Sequence, residues 1–195
     1  MKTLILNCLS INRNNNENKI LNILFDELYS LGCELENYNI PDLDINPCNA
    51  CTTDYLFEYS TECRCNDDMN MLYPIFRNNK NWIFIADSSI KESVNYLKNL
   101  LDRMEPLFQP LFFYSNGLSN NLPPNLISEG NILFVDFANF DNKLRAAIIK
   151  HISSYSLLFN RVFMGYLEIN ENSNVNSEII KEKLRNFIHR KETIE

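Results

Sequence analysis

"KTLILNCLSINRNNNENKILNILFDELYSLG", Lys2–Gly32, divides into three parts with different periodicities. Lys2–Asn7 is a continuous apolar run of strand length, suited to a strand buried on both faces of a parallel sheet. A polar loop follows. From Asn18, residues Ile20, Leu21, Leu24, Leu28 and Leu31 recur at helical spacing, and Gly32 supplies the stop. Strand, loop and helix together make half of a βαβ unit.

Working outward, the alternation continues. The pattern predicts a short strand over Glu34–Asn39, a helix from about Asp67 to Arg77 and a strand over Asn81–Ala86, "NWIFIA". A helix over Lys91–Met104 carries Val94, Leu97, Leu101 and Met104 on one stripe, with Lys98, Asp102 and Arg103 expected nearer water. Residues 105–130 read mostly as loop, because Pro106, Pro110, Pro123 and Pro124 interrupt any regular element. "NILFVDF" (Asn131–Phe137) reads as a strand, Asp141–Leu158 as an amphipathic helix, "RVFMGYLEI" (Arg161–Ile169) as a strand and Ser177–Lys191 as a closing helix.

Five strands alternating with helices imply a doubly wound α/β architecture: an open, five-stranded parallel sheet with helices on both faces. The 195 residues suit one domain, with no repeat or linker and with a cysteine-bearing loop at about 46–66. In such sheets a ligand lies beyond the carboxyl ends of the strands, where strand order reverses. The loops after Asn7, Ala86 and Asp136 are therefore the candidate site.

Composition narrows the function. With 45% hydrophobic and 22% charged residues the chain is too apolar for disorder. A net charge of -7 argues against nucleic acid or an anionic membrane as partner, since both require clustered Lys and Arg. "MKTLIL" meets Asn7 and Ser10 too soon for a signal-peptide core, so a cytoplasmic location is expected. The abundance of Asn carries no functional reading.

Four of the six cysteines lie close together: Cys48 and Cys51 as C-x-x-C, then Cys63 and Cys65 as C-x-C. In a reducing compartment such clusters more often ligate metal or do redox chemistry than form structural disulfides. Four thiolates suit a [4Fe–4S] cluster or a tetrahedral zinc, and a loop that merely retains thiols is the plainest alternative. Cys8 and Cys33, at a strand end and after a helix, are expected to be small buried hydrophobes.

The "CNAC" pair, Cys63 followed by "DDM" (Asp67–Met69) and "LKNLLDR" (Leu97–Arg103), together with the N-terminal strand, loop and helix, resemble the flavodoxin-like NAD(P)H-dependent FMN reductases. Within them the nearest branch is that of the iron-sulfur flavoproteins. The resemblance covers most of the first hundred residues; the C-terminal half shares only the alternation. It implies an FMN-dependent oxidoreductase with NAD(P)H as donor, a small-molecule or protein electron acceptor, and a homodimer or homotetramer. Under it, Ser10, Asn12, Arg13, Asn15 and Asn16 would hold the FMN phosphate. Asp87, Ser88, Ser89 and Ile90 would border the ring, and Ala138 and Asn139 would close its far side. Cys48, Cys51, Cys63 and Cys65 would be the metal ligands.

The sequence departs from the family's pattern at each of these loops. The first, Cys8–Asn18, lacks the glycine that lets backbone approach a phosphate. In the second, Ala86–Ser93, Asp87 stands where a proline is usual and Ser89 where an aromatic is usual; a carboxylate there disfavours an anionic reduced flavin unless offset by Lys91 or directed into water. The third, Asp136–Asn142, also lacks glycine, and no cysteine stands near Asp54. A diverged protein that has lost flavin and serves as a metal-binding or structural protein is the alternative.

Other candidates have plainer readings. His151 on its helix and His189 near the C-terminus lack a catalytic constellation. Asp67 and Asp68 precede a helix and are expected to cap it. Trp82 is expected in the core, and Phe108, Phe112, Phe113 and Tyr114 at an interface.

Overall fold

The computed structural model describes residues 1–10, 15–50, 63–107, 129–138, 143–169 and 177–189, the side chains of 15, 16 and 177 excepted. In chain order the elements are β1 (Lys2–Asn7), α1 (Asn15–Ser30), β2 (Glu34–Asn39), α2 (Met69–Asn78), β3 (Asn81–Ala86), α3 (Lys91–Asp102), β4 (Gly130–Asp136), α4 (Lys143–Ser156), β5 (Arg161–Glu168) and α5 (Ser177–Ile188). Short 3-10 turns lie at Ile40–Asp42 and Glu105–Leu107. The expected helix over Lys91–Met104 ends two residues earlier, and that over Asp67–Arg77 starts at Met69.

All five strands pair in parallel in the order β2-β1-β3-β4-β5. The reversal of order falls between β1 and β3. The apolar runs occupy the sheet centre because only there are both faces covered: β3 and β4 are buried at every position. β2, at an edge, is only half-buried.

Two apolar layers sandwich the sheet. Leu4, Leu6, Trp82, Phe84, Ile132 and Phe134 pack with α2, α3 and α4 on one face. Ile5, Ile83, Ile85, Leu133 and Val135 pack with α1 and α5 on the other. Trp82 is fully buried, as the sequence led one to expect, and its indole N–H donates to the carbonyls of Phe76 (3.2 Å) and Asn79 (3.0 Å).

Arg161, at the start of β5, stacks its guanidinium 3.8 Å from the Trp82 ring centre and donates to the carbonyls of Lys80 (2.5 Å) and Asn79 (2.9 Å). Burial pushes its pKa down to about 9. The stacked indole and the two carbonyls favour the charged form, so we assign it as the cation. Gly130 makes room for this arrangement, since a Cβ there would sit 1.7 Å from the Lys80 carbonyl oxygen and 2.1 Å from Arg161 Nη1.

β5 carries one residue more than β4 between Ile132↔Phe163 and Phe134↔Tyr166. Gly165 absorbs it with φ +92°, a region open to glycine. The bulge turns the strand over: Met164 and Leu167 both reach the α1/α5 face, which regular alternation forbids. Glu168 is thereby directed toward α4.

Candidate functional site

The carboxyl ends of β1, β3, β4 and β5 bring together Asn7, the 87–90 turn, Asp136 and Glu168. Asn7 accepts from the Leu9 amide (3.1 Å) and donates to Asn39 on β2 (3.1 Å), which fixes the exit from β1. The Cys8 amide donates to the Ile85 carbonyl (2.8 Å), so the next strand holds the same exit.

Asp136, fully buried at the end of β4, is the centre of a network. It accepts from the Ser88 amide (2.9 Å), the Ser88 hydroxyl (2.7 Å), the Ala138 amide (3.2 Å) and Arg145 Nε (2.5 Å). Arg145, from the first turn of α4, also reaches Glu168 (2.8 Å) and the Ala138 carbonyl (3.0 Å). A buried carboxylate requires such compensation.

The 87–90 turn is held from within. Asp87 accepts from the Ser89 amide (2.7 Å) and hydroxyl, and its own amide donates to the Ser93 hydroxyl (2.8 Å). Asp87 and Ser88 are therefore buried with these groups engaged inside the protein, while Ser89 and Ile90 face out. The Asp87 carboxylate is buried and accepts from donors of its own turn.

Of the remaining expected contacts, Ser10 is half-buried and Ala138 buried, with its amide and carbonyl tied to Asp136 and Arg145. Asn12, Arg13 and Asn139 lie outside the described residues, as do the side chains of Asn15 and Asn16. α1 does begin at Asn15, placing its first-turn amides at the carboxyl end of β1. Those amides are donors whose chemistry fits a flavin phosphate, and the exposed Ile90 offers an apolar edge to a ring.

The cysteine region is built around Arg103, where the sequence reading needs correction. Expected near water, Arg103 is 1% exposed, because α3 ends there and the chain folds the 44–50 and 63–68 segments over it. It forms a bidentate pair with Asp67 (2.7 and 2.8 Å) and donates to the Asn46 carbonyl (2.9 Å). Burial alone would raise the Asp67 carboxyl, but Arg103 and the Asn46 amide hold it below the ordinary carboxylate range.

Asp67 thus does more than cap: its second oxygen accepts from the Met69 amide (3.2 Å), while Asp68, the cap residue itself, accepts from the Asp44 amide (2.8 Å) and not from α2. Both residues stand in stretches that carried the resemblance, Asp67 in "DDM" and Arg103 in "LKNLLDR", but nothing in the sequence showed that the two pair.

Cys63 is buried and Cys65 and Cys48 half-buried, none in a disulfide. The Cys65 thiol is hydrogen-bonded to Cys63 and accepts from Asn49 Nδ2 (3.6 Å), while Cys48 accepts from the Ala50 amide (3.4 Å). Burial raises the Cys65 thiol, and the nearby Arg103 charge opposes that. Cys51 lies outside the described residues. Among the described residues no three His, Cys, Asp or Glu side chains are grouped to hold a metal ion. Cys8 and Cys33 are buried, and burial pushes the Cys8 thiol far up.

His151 is half-buried and stacks 4.2 Å from Tyr155; burial lowers its pKa, and Asp102 and Lys98 act on it in opposite senses. His189 continues α5, its amide donating to the Arg185 carbonyl (2.8 Å). Phe108, Phe112, Phe113 and Tyr114 lie outside the described residues, and among the described residues no helix is long and apolar enough to cross a membrane.

The parallel order and the two helical layers define a flavodoxin-like α/β fold. Known structures of this shape include a flavone reductase (TM-score 0.65, 12% identity, 97% of this chain), of which this chain spans only 62%. They also include the NAD(P)H:quinone oxidoreductase of Methanothermobacter marburgensis (TM-score 0.56, 13% identity, 98% of each chain) and a flavodoxin of Streptococcus pneumoniae TIGR4 (TM-score 0.53, 10% identity, 98% of this chain and 100% of that one). No protein-family model matches the sequence, and no curated protein sequence matches it significantly.

Proposed function

We propose that the chain is a flavin-dependent oxidoreductase that binds FMN at the carboxyl ends of β1, β3 and β4 and takes electrons from NAD(P)H. The observation that carries this reading is the outward Ser89–Ile90 edge, locked by Asp87 and by the Ser88–Asp136 bonds, at the same end of the sheet as the α1 N-terminus. Reductases and a flavodoxin with the same fold support it.

FMN, when bound, supplies the reversible electron chemistry. The chain's residues bind and orient it: Ser10, Asn12, Arg13, Asn15 and Asn16 hold the phosphate, Ser89 and Ile90 meet the ring edge, and Ala138 and Asn139 close the far side. Arg145 pairs with the buried Asp136 beneath the 87–90 turn and so keeps that carboxylate compensated. A homo-oligomer and a cytoplasmic location complete the proposal.

Adding purified protein to FMN should quench flavin fluorescence and raise the midpoint of thermal unfolding. FMN in excess that does neither would remove the oxidoreductase reading. With FMN bound, NADH or NADPH should bleach the flavin absorbance without oxygen.

A further inference from the structure

We propose that Cys63 and Cys65 are a redox-active dithiol that closes to a C-x-C disulfide by exchange with a low-molecular-weight disulfide. Their sulfurs are already in hydrogen-bonding contact. The segment carrying them is clamped, since Asn70 Nδ2 donates to the Cys65 carbonyl (3.0 Å) and, two residues on, Asp67 is held by Arg103 through both oxygens. The sulfurs thus need not be gathered from a flexible loop, which removes most of the ordering cost of closing the ring.

The two differ in access. Cys63 is 7% exposed, whereas Cys65 is half-buried, with the Asn49 side-chain amide donating to its sulfur. Cys65 is therefore the attacking thiol and Cys63 the resolving one. The Cys65 sulfur attacks one sulfur of the external disulfide, whose S–S bond breaks and releases one thiol. The Cys63 sulfur then attacks Cys65 in the mixed disulfide and releases the second thiol. The protein pair loses two electrons and two protons; the external disulfide gains them as two thiols.

The Arg103 clamp stands apart from the 87–90 turn. Ile90 caps the start of α3 and Arg103 its end, so the twelve residues between them set about 18 Å of helix between the turn and the clamp. The assay needs no flavin, so its outcome is independent of the function proposed above.

The whole chain, reduced and freed of reductant, is treated with oxidised glutathione, quenched with N-ethylmaleimide and mapped by mass spectrometry. The peptide spanning Cys63 and Cys65 should become lighter by two hydrogens and lose both alkylation sites, with Cys8 and Cys33 unaffected. Cys63→Ser should accumulate one glutathione adduct on Cys65, and Cys65→Ser none on Cys63. The proposal is overturned if the wild-type pair stays fully alkylatable, if the new disulfide includes Cys48 or Cys51, or if bound zinc or iron must be stripped before either thiol reacts. The wild-type result decides even if a variant fails to fold.

Discussion

Arg103 and Asp67 hold one another in a nearly dry environment, and their value lies in what happens when one is removed. Arg103→Met leaves a buried carboxylate without its cation, at a cost of about 3–5 kcal/mol. Urea denaturation of the variant should show that loss, since the Asn46 carbonyl loses its donor as well. The pair also sets an acid limb. Asp67 has a folded pKa below its unfolded value of about 3.9, so its contribution is complete above that value and disappears as pH falls through the folded one. Asp67→Asn should therefore flatten the fall in stability below about pH 4 relative to wild type; an unchanged slope would show that other carboxylates set the acid limb.

At the scale of elements, β5 shows how one residue redirects a strand. Gly165 adopts a left-handed φ to place the extra residue, and the strand turned over in this way sends Leu167 to one face and Glu168 to Arg145 on the other. Gly165→Ala should cost about 1–2 kcal/mol from backbone strain alone, since the nearest obstruction is the flexible end of Lys183. Gly130→Ala is a different case, where the obstruction is the Lys80 backbone itself. A larger loss, about 3 kcal/mol, is expected there, together with displacement of Arg161 from the Trp82 ring. Thermal melts of the two variants side by side should give that order; Gly130→Ala no worse than Gly165→Ala would contradict the packing described at the start of β5.

For the molecule as a whole, Trp82 is the sole tryptophan and sits between Phe76, at 4.9 Å, and Phe159, at 5.3 Å, in the layer shared by α2, α3 and α4. Its fluorescence reports on that face, whereas far-ultraviolet circular dichroism reports on every helix. If the central strands couple the two layers, the two probes should give coincident unfolding curves. A tryptophan transition clearly preceding the loss of helix would mean that the layers melt separately.

Lys2–Asn7, Asn81–Ala86 and the run after Gly130 were legible because unbroken apolar runs of strand length have few other uses, and helical stripes between them leave parallel pairing as the geometry that covers both faces. Fold class, strand set and the buried Trp82 followed from the pattern of apolar residues. What the sequence could not display was which polar side chains turn inward. Asp87 and Ser88 look like groups offered to a ligand, and Arg103 like a solvated helix end, until the donors and acceptors around them are known. Their partners come from positions up to 57 residues away, Ser88 with Asp136 and Arg103 with Asp67 and the Asn46 carbonyl, so the balance between desolvation and pairing exists only in the folded chain. Local pattern determines where apolar surface must be hidden; tertiary contact alone decides whether a charge is hidden with it.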